Sequence, residues 1–268
     1  MKKTLRLPRL AKSLLRIAAA VAVVVLLAAV AACVFMERLL FPSPHDGIRT
    51  GNLTLRSGGE TLDAYWKPGS PDKPVVLYSH GNGETLANIR GLLEGFSARG
   101  YGILAYDYAG YGGSTGKAGE AQACCDIEAA YRYLREKENI TADRILAVGY
   151  SVGGGPSCYL AEKYPLHGLV LCAPFASAVR VVLPFGLPWV DRFPNAERLR
   201  RREMPLLLFH GTADRIIPYR NGRLIAETAR GPVRFITVER SGHNDLFRNL
   251  GSRFWTEFDR FAADPAAN

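Results

Sequence analysis

Residues Gly149-Tyr150-Ser151-Val152-Gly153 lie between an apolar run, Arg144 to Val148, and a helix-like stretch from Gly153 to Tyr164. A chain that passes from strand to helix through so few residues must turn sharply, which forces the serine to positive φ and presses helix against strand. The positions two before and two after the serine must then lack bulk, and Gly149 and Gly153 meet that demand. The pattern predicts a strand–turn–helix unit with Ser151 at its apex as a candidate nucleophile.

A serine hydroxyl is a weak nucleophile at neutral pH, and needs a base to take its proton and a third group to orient that base. Pro205 to His210 reads as a buried strand, and the loop that follows, Gly211-Thr212-Ala213-Asp214, offers a carboxylate. One strand later, Val233 to Glu239 alternates and breaks into Arg240-Ser241-Gly242-His243-Asn244-Asp245. Asp214 and His243 therefore both fall at carboxyl ends of strands, where ligands gather in open parallel sheets, so both can meet Ser151.

The negative oxygen that develops when serine attacks a carbonyl needs two backbone N–H donors. Pro74 to Ser79 reads as a strand ending in His80-Gly81-Asn82-Gly83, and the Asn82 amide is the first candidate donor. Val152 follows the nucleophile in the first turn of a helix, where amides lack intrahelical partners and the helix dipole favours negative charge, so it is the second.

These segments, with Asp107-Tyr108-Ala109-Gly110-Tyr111-Gly112-Gly113-Ser114 and Asp214-Arg215-Ile216-Ile217-Pro218, resemble the α/β-hydrolase superfamily over about residues 37–262. The order Ser, Asp, His is that of the α/β-hydrolase arrangement. Within the superfamily the chain looks like the membrane-anchored Bem-type group of S33-like serine hydrolases. The resemblance implies Ser151 as nucleophile, Asp214 as acid, His243 as base, the amides of Asn82 and Val152 as the oxyanion site, and no cofactor or metal. Dehalogenases of this fold carry aspartate at the turn, so Ser151 speaks against that chemistry.

Strand and helix patterns alternate along the chain. Strands are expected near 52–56, 61–66, 74–79, 101–106, 144–149, 168–172, 205–210 and 233–239, and helices near 85–99, 119–137, 153–164, 220–229 and 246–263. That alternation predicts an α/β architecture, a mostly parallel eight-stranded sheet with helices on both faces, its first two strands an antiparallel hairpin through Gly58-Gly59. The long connection at 173–203 breaks the alternation where this superfamily inserts a cap. Its apolar residues, Leu183 and Phe185 among them, would either wall an acyl-binding cleft or cover the sheet edge.

The amino terminus carries six positive charges and no acid before Ile17, and Ile17 to Met36 is uncharged. A helix of that length spans about 30 Å, a bilayer's hydrocarbon thickness. The expected division is a basic cytoplasmic tail at 1–16, a transmembrane signal-anchor at 17–36 and a hydrolase domain at 37–268, on the periplasmic or extracytoplasmic side. Val30-Ala31-Ala32-Cys33 also resembles a lipoprotein box, which would anchor the chain at Cys33, and a cleaved signal peptide is a third possibility. Of the net charge of +9, the six amino-terminal charges leave +3 for the remainder, which gives no reason to expect nucleic-acid binding. Arg198, Arg200, Arg201 and Arg202 read as a solvated basic face.

Cys124, Cys125, Cys158 and Cys172 match no zinc spacing, although a disulfide from the Cys124-Cys125 pair is open to an oxidising compartment. His80 and His210 precede glycine at strand ends and read as loop braces, and Asp245 as the cap of the last helix. The functional expectation is a serine hydrolase of small or acylated substrates, cleaving an ester, thioester or amide through an acyl-enzyme. A peptidase and a non-catalytic membrane scaffold are the alternatives.

Overall fold

The computed structural model describes residues 9–183, 185–187 and 191–266, and in its first helix the side chains at 9–12, 14, 15, 22, 28, 29 and 32–34 also lie outside the described set. Eight strands form one sheet: β1 Leu53–Ser57, β2 Glu60–Lys67, β3 Val75–Ser79, β4 Gly102–Tyr106, β5 Ile145–Tyr150, β6 Gly168–Cys172, β7 Leu206–Gly211 and β8 Val233–Val238. Their spatial order is β1-β2-β4-β3-β5-β6-β7-β8. β1 pairs antiparallel with β2 across Ser57 and Glu60, β2 pairs antiparallel with β4, and every other pairing is parallel.

The helices are α1 Arg9–Leu40, α2 Leu86–Ala98, α3 Glu120–Arg132, α4 Gly154–Lys163, α5 Ala178–Val182, α6 Asn195–Arg201, α7 Arg220–Thr228, α8 Leu246–Leu250 and α9 Ser252–Ala263. Alternation along the strands feeds two apolar layers. Val75 and Leu77 of β3 join Ile127, Leu160 and Ile225 beneath α3, α4 and α7. Val76 and Tyr78 point the other way, into the layer formed with Leu93 and Phe96 of α2 and Phe254 and Phe258 of α9. β3 to β7 are buried along their whole length, as strands covered on both faces must be.

Two helices differ from expectation. The helix expected over 246–263 is broken at Gly251, whose φ of 52° no helix accommodates, so it becomes α8 and α9. Asp245 stands at the N-cap of α8 without a side-chain cap bond, its carboxylate accepting instead from Ser241 Oγ at 3.3 Å. The helix expected over 119–137 is α-helical only to Arg132 and widens into a π-helical turn, Tyr133–Lys137.

α1 runs without a break from the basic end into the domain, past the boundary expected at residue 36. Leu40 and Phe41 are buried, and the Phe41 ring meets Tyr108 and Tyr111 edge-on at 5.9 and 6.5 Å. Among the described residues, no helix is long and apolar enough to cross a membrane. In the span expected over 17–36, several side chains, Cys33 included, lie outside the described residues.

The insertion between β6 and β7 carries α5 and α6. Phe175 and Phe193 are core residues, whereas Pro184 and Trp189 lie outside the described residues. In the arginine cluster Arg200 and Arg201 are exposed, as a solvated face requires, but the cluster also acts as a brace. Arg198, largely buried, reaches Glu120 at 3.2 Å and Glu162 at 3.5 Å, Arg201 pairs with Glu162 at 3.0 Å, and α6 is thereby pinned to α3 and α4. Cys124, Cys125, Cys158 and Cys172 are free thiols, so the suggested disulfide from Cys124-Cys125 is not formed.

Candidate active site

β5 ends at Tyr150, a single 3₁₀ turn covers Ser151–Gly153, and α4 starts at Gly154. Ser151 has φ of 53°. A Cβ at Gly149 would stand 2.5 Å from the Gly153 carbonyl oxygen, and one at Gly153 would stand 2.1 Å from the Ser79 carbonyl oxygen. Both distances are far inside van der Waals contact, so the two glycines are dictated by the turn that projects Ser151.

The loops after β7 and β8 bring Asp214 and His243 to the same rim. His243 Nε2 lies 2.9 Å from Ser151 Oγ, and His243 Nδ1 lies 2.7 Å from Asp214 Oδ2. A carboxylate accepts hydrogen bonds, so Nδ1 carries the proton and Nε2 is left to accept the serine hydroxyl. All three residues are buried. Asp214 Oδ1 accepts the backbone N–H groups of Ile216 at 2.9 Å and Ile217 at 2.8 Å. Burial disfavours its charge, but hydrogen bonds from His210, His243 and the Ile217 amide outweigh this and hold the carboxyl well below the usual carboxylate range. His210 braces that loop: its Nε2 donates to the Ile217 carbonyl at 2.8 Å and lies 3.5 Å from Asp214 Oδ2.

Asn82 and Val152 face the same cleft as Ser151. The loop that carries Asn82 is held on several sides. Glu84 Oε2 accepts the Gly81 N–H at 2.6 Å, the Tyr108 hydroxyl donates to the His80 carbonyl at 2.9 Å, and Asn82 Nδ2 donates to the Leu39 carbonyl of α1 at 2.7 Å. Behind it, Asp107 Oδ1 accepts the Leu86 N–H at 2.8 Å and fixes the start of α2.

The cleft has a volume of about 620 Å³, within the range of small-molecule sites. Ser151 and His243 open onto it, with Asn82, Glu84 and Asn244 as further polar lining, and much of the rest is apolar: Met36 and Leu39 of α1, Val181 and Val182 of α5, and Ile216. Of the apolar insertion residues, Phe175, Val181 and Val182 line the cleft, whereas Leu183 and Phe185 do not. Beyond His243 the cleft adjoins an open polar depression bordered by Arg215, Asn244 and Arg248. Among the described residues there is no cluster of three or more His, Cys, Asp or Glu side chains suited to a metal ion.

Three contributors escaped the sequence reading. Tyr150 stacks on the His243 ring, with centroids 5.4 Å apart, and its hydroxyl donates to the His243 carbonyl at 3.2 Å. Burial, then the charge of Glu84, raises that hydroxyl well above its ordinary pKa, so it stays a donor. Glu84 holds the Asn82 loop, and its position within His80-Gly81-Asn82-Gly83-Glu84 was the available signal. The third is the last turn of α1, for which no local signal exists.

A sheet in this order, with a serine on the β5–α4 turn and an aspartate and a histidine on the loops after β7 and β8, is the architecture of an α/β hydrolase. The family described as serine aminopeptidase, S33, matches over residues 70–195. Human alpha/beta hydrolase domain-containing protein 17B is 34% identical over 220 residues, covering 81% of this chain and 76% of that protein. The Xenopus tropicalis protein of the same name is 34% identical over 198 residues, covering 72% and 69%. The chain belongs to the α/β-hydrolase superfamily, with these proteins among its relatives. In fold it is similar to the esterase Est1E from Butyrivibrio proteoclasticus, with a TM-score of 0.64 at 18% identity over 78% of this chain and 98% of that one. The Pyrococcus furiosus esterase Pf2001 gives a TM-score of 0.66 at 17% identity over 78% and 90%.

Proposed function

We propose that this hydrolase is a serine hydrolase that cleaves esters or thioesters of apolar acyl groups through an acyl-enzyme. The observation that carries the reading is the unbroken hydrogen-bonded chain from Ser151 through His243 to Asp214 at the floor of an apolar-walled cleft. His243 Nε2 takes the proton as Ser151 Oγ attacks the carbonyl carbon, and Asp214 holds the imidazole in the tautomer that can accept it. The N–H groups of Asn82 and Val152 stabilise the oxyanion, each such donor being worth about 3 kcal/mol. His243 then protonates the departing oxygen or sulfur, and water repeats the attack to release the acid.

A second reading, a peptidase, draws support from the Glu84 carboxylate in the cleft, which offers a counter-charge to a substrate ammonium. One panel separates them: p-nitrophenyl esters, acyl thioesters and aminoacyl p-nitroanilides with the full chain in detergent. Turnover of esters and thioesters, reduced about 10³-fold or more by Ser151→Ala, is expected. Turnover of the anilides alone would replace the first reading by the second.

The reading extends to location. Residues 17–36 are uncharged and follow a basic tail at 1–16, and α1 exposes Val21, Val24, Leu27 and Phe35. So much exposed apolar surface on one helix calls for lipid, in keeping with the membrane-anchored Bem-type group and a hydrolase domain at 37–268 beyond the bilayer. A lipid-modified Cys33 would serve the same end. Protein released from membranes by alkaline carbonate would contradict both.

A further inference from the structure

We propose that the last turn of α1 is the acyl-selecting wall of the active site, so that Met36 and Leu39 set which chain lengths the enzyme accepts. The inference rests on the serine-hydrolase reading above and deepens it.

Direction comes from the imidazole. His243 returns its proton to the leaving atom, so the leaving group must lie on the His243 side of Ser151. There the cleft opens into the polar depression bordered by Arg215, Asn244 and Arg248. The acyl portion is then left to the apolar lining of the cleft, to which α1 contributes Met36 and Leu39 and α5 contributes Val181 and Val182. Leu39 is 55% exposed and Val182 70% exposed, so the trough they form is open to receive a chain rather than packed shut. In the reaction the Ser151 Oγ–acyl bond forms as the bond to the leaving oxygen or sulfur breaks. The leaving atom gains the proton that His243 took from Ser151, and the acyl chain stays in the trough until water releases it as the acid.

The last turn of α1 is fixed to the domain, as a selecting wall has to be. The Leu39 carbonyl is one of the four that end a helix without an intrahelical partner, and Asn82 Nδ2 fills that vacancy at 2.7 Å. Glu37 pairs with Arg192 at 3.4 Å, Phe41 is buried, and the Pro44 carbonyl accepts the Gly112 N–H at 2.9 Å. Asn82 thus ties the wall to the loop whose amide faces the developing oxyanion.

The test uses the full chain in detergent micelles and reads the ratio of kcat/KM for p-nitrophenyl decanoate over p-nitrophenyl butyrate. Leu39→Trp and, independently, Met36→Trp should each lower that ratio about ten-fold or more, because a filled trough rejects the longer chain first. Phe35→Trp, on the same helix and outside the cleft, should leave it unchanged. An unchanged ratio in both cleft variants, or an equal fall for the two esters, overturns the assignment while leaving the hydrolase reading intact. A wild type that hydrolyses neither ester overturns both.

Discussion

Replacing Gly153 by alanine separates the demands of the serine turn from those of the rest of the fold. The new methyl would stand 2.1 Å from the Ser79 carbonyl oxygen, 2.6 Å from its carbon and 2.7 Å from the His80 carbonyl oxygen. These are backbone atoms at the end of β3, which cannot rotate aside as a side chain does. Reaching even a tight contact of 3.0 Å requires a relative shift of about 0.9 Å between the Ser151 turn and β3. Overpacking of this kind costs about 1–3 kcal/mol, which lowers Tm by about 3–10 °C in a domain this size. The same shift displaces Ser151 from His243, and a misplacement near 1 Å costs about 100-fold in rate. Gly91 is the internal comparison: it lies within α2, a Cβ there meets nothing within 4 Å, and Gly91→Ala should raise stability by about 0.5–1 kcal/mol. Thermal unfolding and ester turnover read both variants. A Gly153→Ala protein with wild-type Tm and turnover would refute the claim that helix and strand are in contact at this turn.

Tyr150→Phe keeps the ring stacked on His243 and loses only a long hydrogen bond, so turnover should fall a few-fold, whereas Tyr150→Leu should lose about ten-fold more by freeing the imidazole; equal losses in the two variants would contradict that division. Asp214 has its folded pKa depressed, so its contribution to stability is fully present above the unfolded value of about 3.9 and is lost as pH falls below it. The Tm difference between wild type and Asp214→Asn should hold from pH 7 to about 5 and close below about pH 4, and a gap that widens in acid would contradict the sign. Among the four cysteines of the domain only Cys125 is exposed, while burial pushes the Cys124 and Cys158 thiols up to about 12. Of these four, maleimide should therefore modify Cys125 alone in the native protein, as read by peptide mass spectrometry.

The turn at Ser151 was legible because it is a local steric problem with one solution, glycine at 149 and 153. Asp214 and His243 were legible because each follows a strand whose apolar pattern ends abruptly, and parallel strands deliver their carboxyl ends to one edge. What failed to show was what depends on distant packing. Nothing in Met36 or Leu39 marks them as cleft residues, since no periodicity records where a helix end docks. Arg198 looked like part of a solvated cluster because its partners, Glu120 and Glu162, are about 78 and 36 residues away in sequence. The break at Gly251 is a smaller case: a lone glycine in an amphipathic stretch is tolerated within many helices, and only its φ of 52° tells the two apart. The apolar insertion was legible as a candidate wall, but not which of its side chains turn inward: Phe175, Val181 and Val182 do, and Leu183 and Phe185 do not.

The central claim is that Ser151 is made nucleophilic by a histidine and an aspartate contributed from two distant loops. Treating the full chain with a fluorophosphonate and mapping the adduct by mass spectrometry tests it most directly. One adduct, on Ser151, formed in the wild type and lost or strongly slowed in His243→Ala, is the predicted result; a wild type that stays unlabelled, or an adduct that persists in Ser151→Ala, would contradict it.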